Sequence, residues 1–259
     1  FTCNGQSHNF SVTDLSPTQI VRHVERLGML QHEKDEDERL LGHDPANAIL
    51  MTWYRNNVLH VIAPSAMIAC LLANRRLPIK LDALERLVQT VLPYIEAELS
   101  FRSGPDETRR CLLELEMLGL LHNTGDAVTP PAKNAESRLH IKHQANALMP
   151  TLERLYISIA LLNEAGNSVY TRRTLVETAS RTARRYSVLY GTNAPEFFDP
   201  APFRGLVQTL EKRGVVRSDK GGYLYFDASI SELVRASHHI IKPELQHSIP
   251  SSPLTERDA

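Results

Sequence analysis

A chain of 259 residues is long enough for one large core or for two domains. Its 29 Lys+Arg against 30 Asp+Glu leave no basic excess, which argues against a general nucleic-acid binder, and 42% hydrophobic with 23% charged residues argues against a disordered polypeptide. Cys3, Cys70 and Cys111 form no CxxC or His/Cys cluster, so a disulfide framework, a metal site and a cofactor are not expected.

The first segment, 17–47, places Ile20, Val21, Val24 and Leu27 at helical spacing, then Gly28, a charged run and Leu40-Leu41. It reads as a helix, a glycine stop and two short strands joined by a turn. His32 and Asp37 match His-x4-Asp formally, but they sit in a solvated acidic run that gives a general base neither a fixed orientation nor a tuned pKa.

The run Trp53-Tyr54-Arg55-Asn56-Asn57-Val58-Leu59-His60 follows, at the threshold of a segment that is almost wholly apolar to Leu72. Trp53, Asn56, Asn57 and His60 fall at i, i+3, i+4 and i+7 of a helix and share one face. Burying such groups without partners would cost about 1–3 kcal/mol each, so a hydrogen-bonded network is expected. Arg55 has the planar fork that suits a phosphate or a carboxylate, or a tie to a neighbouring domain. The stretch from Val58 to Leu72 falls short of the roughly 20 residues a span needs and contains His60 and Pro64, so a buried helix is expected rather than an interfacial or spanning one.

Residues 81–101 carry Leu84, Leu87, Val88, Val91, Leu92 and Ile95 in an amphipathic pattern, with a kink or break expected at Pro93. The segment 105–131 repeats the helix, glycine and hairpin order through Gly119 and Asn123-Thr124-Gly125-Asp126. Residues 136–164 predict a long helix with Leu148, Leu152, Leu155, Ile159 and Leu162 on one face and an interruption at Pro150. A basic helix is expected over 171–190, stopped by Gly191, with Arg181, Arg184 and Arg185 at i, i+3 and i+4 and Glu177 placed to pair with Arg181.

Phe197 and Phe198, in a loop beginning at Asn193, are too apolar to leave together in water. They are expected to fill a pocket or dip into a membrane surface, and Glu196 and Asp199 beside them have no metal motif or nucleophile. The segment 200–227 is the third helix-hairpin unit, through Gly214 and Asp219-Lys220-Gly221-Gly222. His238 and His239 are adjacent, so they diverge on a helix and do not suggest a metal site.

These elements predict a mainly α fold, a helical accessory domain with small winged-helix-like β-hairpins. Two subregions are expected: 1–130 with two helix-hairpin units and 131–248 with the third. Disorder is expected in the tail 249–259 and in about the first ten residues. Winged-helix grammar also suits a non-catalytic scaffold or regulator, although no helix rich in Arg, Asn and Gln precedes a hairpin.

The run 53–60 resembles the carboxyl-terminal part of bacterial glycerol-3-phosphate acyltransferases of the PlsB type. The block Arg185-Tyr186-Ser187-Val188-Leu189-Tyr190-Gly191-Thr192-Asn193-Ala194-Pro195-Glu196-Phe197-Phe198-Asp199 resembles a second stretch of that family, in the same order. The resemblance implies transfer of a fatty acyl group from acyl-CoA or acyl-carrier protein to the 1-hydroxyl of sn-glycerol 3-phosphate, giving lysophosphatidate. It implies peripheral attachment to the cytoplasmic face of the inner membrane. The family's His-x4-Asp catalytic domain is not matched in this chain, which begins with Phe1 rather than Met. The expectation is therefore a carboxyl-terminal piece, inactive alone, that partners an amino-terminal acyltransferase domain. On this reading no residue here is catalytic. Arg55, Asn56, Asn57 and His60 are candidates for substrate or interdomain contact, and Arg181, Arg184 and Arg185 for lipid or acyl-carrier contact.

Overall fold

A computed structural model of the protein describes residues 13–34, 39–190 and 195–249. Ser16 starts the first helix, α1 (Pro17–Arg26), with a reciprocal capping box: its side chain accepts from the Gln19 N–H while the Gln19 side chain accepts from the Ser16 N–H at 2.7 Å. No residue of α1 is buried. The hairpin β1 (Gln31–Lys34) and β2 (Arg39–Gly42) follows, antiparallel, with Gln31 opposite Gly42.

Asp44 caps α2 (Pro45–Ala73) by accepting from the Asn47 N–H at 2.8 Å. The Asn47 side chain donates to the Gly28 carbonyl at 2.9 Å, which ties the first helix-hairpin unit to the start of α2. Every residue of α2 from Ala63 to Ala73 is buried. Its companion is α5 (Glu136–Ala165), buried on all sides over 151–162, as a helix at the centre of a core must be. Small and polar groups lock the pair: Cys70 Sγ donates to the Ala145 carbonyl at 3.4 Å, and Gln144 Nε2 to Ser65 Oγ at 2.7 Å.

The remaining elements surround this pair. They are β3 (Ile79–Lys80), α3 (Leu81–Leu99), α4 (Glu107–Met117), β4 (His122–Asn123), β5 (Ala127–Thr129), α6 (Arg172–Tyr190), a 3₁₀ turn (Pro195–Phe198), α7 (Pro200–Lys212), β6 (Val216–Ser218), β7 (Leu224–Phe226), α8 (Ala228–Ser237) and α9 (Pro243–His247). The fold is mainly α with small antiparallel hairpins, as expected. One buried apolar cluster includes residues before and after Pro130-Pro131.

All three helix-hairpin units end their helix in the same way. Gly28, Gly119 and Gly214 have φ of +72°, +68° and +73°. Their N–H groups donate to Glu25, Glu116 and Glu211, while Met29, Leu120 and Val215 donate to Val24, Leu115 and Leu210. That pair of bonds is the Schellman closure, and the left-handed glycine is what it requires. The second hairpin also recruits β3, giving a sheet in the order β3-β5-β4.

Among the described residues no helix breaks at its proline. α3 continues through Pro93 and α5 through Pro150 without a break, as α2 does through Pro64. Buried side chains flank each interruption, Leu92 and Tyr94 in one case and Met149 and Thr151 in the other. Packing on both sides outweighs the lost hydrogen bond. α3 ends at Ser100, in left-handed conformation at φ +56°.

Cys70 and Cys111 are free and buried, as expected of small hydrophobes, and burial pushes the Cys111 thiol up to about 12. Cys3, Asp37 and the tail 250–259 lie outside the described residues, so the expectations placed on them do too.

Candidate functional site

The polar knot sits where α2 leaves the core. Burial begins at Leu59 and becomes continuous from Ala63, whereas Asn56 and Asn57 are exposed and His60 is half-buried. Asn56 and Asn57 therefore stand in water rather than in the core, because α2 has not yet entered its packed stretch at these positions. The Trp53 side chain lies outside the described residues.

Asn56, Asn57 and His60 do converge, on one wall of a cleft of about 570 Å³. The end of α3 (Ala97 to Ser100), Arg154 of α5, and Pro202, Gly205 and Thr209 of α7 complete it. Arg55 is not part of this lining; its guanidinium donates to Asn56 Oδ1 at 3.2 and 3.4 Å. Beneath the cleft, Arg154 meets Glu98 at 2.6 Å with side chains only 7% and 15% exposed, and donates to Thr151 Oγ1 at 3.2 Å. Sequence reading missed this pair, because each residue lies singly in an otherwise ordinary helical pattern. The cleft offers amides, an imidazole and a buried ion pair. That inventory suits hydrogen-bonded binding or docking.

An apolar row runs along the same exposed stretch of α2. Leu50, Tyr54 and Val58, at i, i+4 and i+8, are 42%, 56% and 58% exposed. The apolar stretch Tyr54–Ala73 is, among the described residues, the one helical segment long and apolar enough to cross a membrane, yet 67% of it is buried in the protein. Here it is a core helix, in line with the buried-helix expectation.

The basic helix α6 distributes its arginines over different surroundings. Arg181 lines a groove of about 940 Å³ between α6 and α7, together with Arg172, Arg173 and Arg204 above Val176 and Val207. Glu177 accepts from Arg173 at 2.8 Å, one turn on the other side from the partner expected. Arg172 is held by Glu211 at 2.8 Å. The Arg184 guanidinium lies 5.9 Å from the centroid of the Phe198 ring, and Arg185 is exposed. Beyond them Val188 and Leu189 are 77% and 61% exposed, an apolar end that helical periodicity alone did not reveal.

The 3₁₀ turn sends Phe197 into the core, against Tyr186 at 6.3 Å between ring centroids, rather than towards a membrane. Ser180 Oγ donates to the Phe198 carbonyl at 2.5 Å and Asp199 caps α7 at the Ala201 N–H. His238 faces Tyr156 at 3.1 Å and His239 faces Arg75 at 3.3 Å, so the two rings diverge as expected. Among the described residues no group of three His, Cys, Asp or Glu side chains could hold a metal ion.

Residues 4–219 match the family described as glycerol-3-phosphate acyltransferase C-terminal region. Relatives named glycerol-3-phosphate acyltransferase include those of Pseudomonas putida (strain W619), 34% identical over 235 residues, and Pseudomonas aeruginosa (strain UCBPP-PA14), 36% identical over 236 residues. Each alignment covers 89% of this chain and 28% of the relative. A third, from Ectopseudomonas mendocina (strain ymp), is 33% identical over 248 residues, covering 94% of this chain and 30% of the relative. The chain thus spans under a third of the length of these relatives, and it belongs to the glycerol-3-phosphate acyltransferase C-terminal region family.

Proposed function

We propose that this chain is the carboxyl-terminal region of an enzyme that moves a fatty acyl group from acyl-CoA or acyl-carrier protein to the 1-hydroxyl of sn-glycerol 3-phosphate, giving lysophosphatidate for phospholipid synthesis. The match across residues 4–219 carries the reading. The region braces and docks the acyl-transferring part and is inactive alone.

Two features support the docking role. The Leu50, Tyr54 and Val58 row leaves apolar area in water that a packed neighbour would cover. The adjoining Asn56, Asn57 and His60 wall supplies the polar rim that such interfaces carry. In this reading the substrates, glycerol 3-phosphate and the acyl donor, meet the other part of the enzyme. Attachment is peripheral, at the cytoplasmic face of the inner membrane, with Arg184 and Arg185 towards anionic headgroups and Val188 and Leu189 at the interface.

Acyl transfer to glycerol 3-phosphate is measured for the 259 residues alone and for the intact enzyme carrying Tyr54→Glu or Val58→Glu. The chain alone is expected to give no turnover. The substitutions are expected to lower the intact enzyme's activity while leaving the unfolding midpoint of the isolated chain within a few degrees. Turnover by the chain alone, or an intact enzyme indifferent to both substitutions, overturns the proposal.

A further inference from the structure

A separate cleft of about 360 Å³ opens between α5, α6 and α9, on residues that neither the docking row nor the arginine face uses. Glu153 of α5 lines it and is 5% exposed. Among the described residues no side chain donates a hydrogen bond to this carboxylate and no cation stands within ion-pair distance. Its neighbour Arg154 turns instead to Glu98, and Lys242, exposed at the rim, acts on it only through its field. The carboxylate opens on the cleft from an otherwise buried residue, so it is partly desolvated, and a counter-charge brought by a ligand would offset that cost.

The other walls indicate which counter-charge. Tyr186 and Tyr190 line the cleft with ring centroids 4.8 Å apart and planes at 40°. Glu153 and Glu244 line the same cleft as this aromatic wall, and the Tyr186 hydroxyl is pushed up by burial first and then by their negative charge. Phenol faces beside carboxylates attract organic cations. Met149 and Pro150 provide an apolar floor for the carbon atoms of such a group. A bare metal ion would find too few ligands, since the cleft offers only two carboxylates. The volume suits a headgroup rather than a larger molecule.

We propose that this cleft binds an alkylammonium group between Glu153 and the Tyr186–Tyr190 wall, either as a free small amine or as the ethanolamine headgroup of a lipid. Tyr190 also stands half exposed at the end of α6 beside Val188 and Leu189, so a lipid headgroup could reach the cleft from the face proposed to meet the membrane. The site itself does not depend on the acyltransferase reading.

Ethylammonium chloride is titrated into the chain at pH 8 and followed by NMR, against sodium chloride at equal ionic strength. Vesicles with and without ethanolamine headgroups form a second arm. Saturable binding of ethylammonium assigns a soluble amine; a response confined to ethanolamine vesicles assigns the lipid. In either case Glu153→Gln is expected to weaken binding about tenfold or more. Tyr190→Ala, at the exposed rim where folding is least at risk, is expected to weaken it several-fold. Absence of a saturable response in both arms, or a response that both substitutions leave unchanged, overturns the proposal.

Discussion

Arg154 of α5 and Glu98 of α3 stand 2.6 Å apart beneath the cleft that Asn56, Asn57 and His60 line, with both charges almost out of contact with water. Each charge is tolerable there only because of the other. Arg154→Met removes one partner and strands Glu98, so the chain is expected to lose about 3–5 kcal/mol of stability. The double variant Arg154→Met with Glu98→Leu removes both charges and is expected to recover most of that loss. Urea unfolding of the wild type, both single variants and the double variant measures the coupling. If the double variant is as unstable as the sum of the singles, the pair is not what holds α3 against α5.

The Schellman closures make a second prediction, about backbone alone. Gly214 has φ +73°, and a Cβ added there would meet no atom within 4 Å. Gly214→Ala therefore introduces no clash, and its cost is the left-handed conformation itself, roughly 1–2 kcal/mol. Gly205, in the middle of α7, has a helical φ and equally open surroundings. Gly205→Ala is expected to stabilise the chain by roughly 0.5–1 kcal/mol. Opposite signs for two glycines nine positions apart can be read from thermal or urea unfolding of the two variants.

These closures were legible in the amino-acid order, because a glycine after an amphipathic run and a polar turn between short apolar runs is local information. The mainly α class and the three hairpins follow from it. What was not legible depends on tertiary placement. Pro93 and Pro150 look like interruptions in isolation, yet buried neighbours on both sides hold their helices together. Asn56 and Asn57 look buried because Leu59 to Leu72 is apolar, but the chain order does not say where a helix emerges from its core. β3 is only two residues long, too short for any periodicity, and gains its partner β5 from a hairpin more than forty residues later. Likewise, nothing local distinguishes Val188 and Leu189 at an open helix end from the buried Ala179 and Ala183 before them.

Glu153 supplies a prediction in pH. Burial raises its carboxyl from the ordinary 4.5 to about 7, against the opposing fields of Lys242 and Arg154. Its folded form thus holds the proton more tightly than the unfolded chain does. Its contribution favours folding below about pH 4.5 and declines as the pH rises towards 7, levelling off above that. The total change is roughly 3 kcal/mol. Glu153→Gln cannot ionise, so it is expected to match the wild type near pH 4 and to exceed it by about that amount at pH 8. The other groups facing Glu153 are Cys70 on α2, Tyr186 and Tyr190 on α6 and Lys242 and Glu244 at α9, with Arg154 beside it. All remain in the variant, so the difference between the two stability profiles isolates Glu153. A constant offset at all pH values would show that the carboxyl is not displaced.

The end of α6 yields the last prediction, which separates electrostatic attraction from insertion at a bilayer. Arg184 and Arg185 stand one turn before Val188 and Leu189, so a surface that attracts the first pair brings the second pair to its interface. Basic side chains near an anionic membrane contribute about 1 kcal/mol each, and Arg184→Ala with Arg185→Ala is therefore expected to weaken partitioning onto anionic vesicles by roughly 30-fold. That loss should shrink as salt is added, because screening removes the attraction in the wild type as well. Val188→Asp with Leu189→Asp is expected to weaken binding too, but its effect should persist at high salt, since apolar insertion is not screened. Co-sedimentation at two ionic strengths resolves the contributions. Wild-type partitioning that ignores anionic lipid content would remove the electrostatic role of Arg184 and Arg185 and leave apolar insertion by Val188 and Leu189 as the contact with the bilayer.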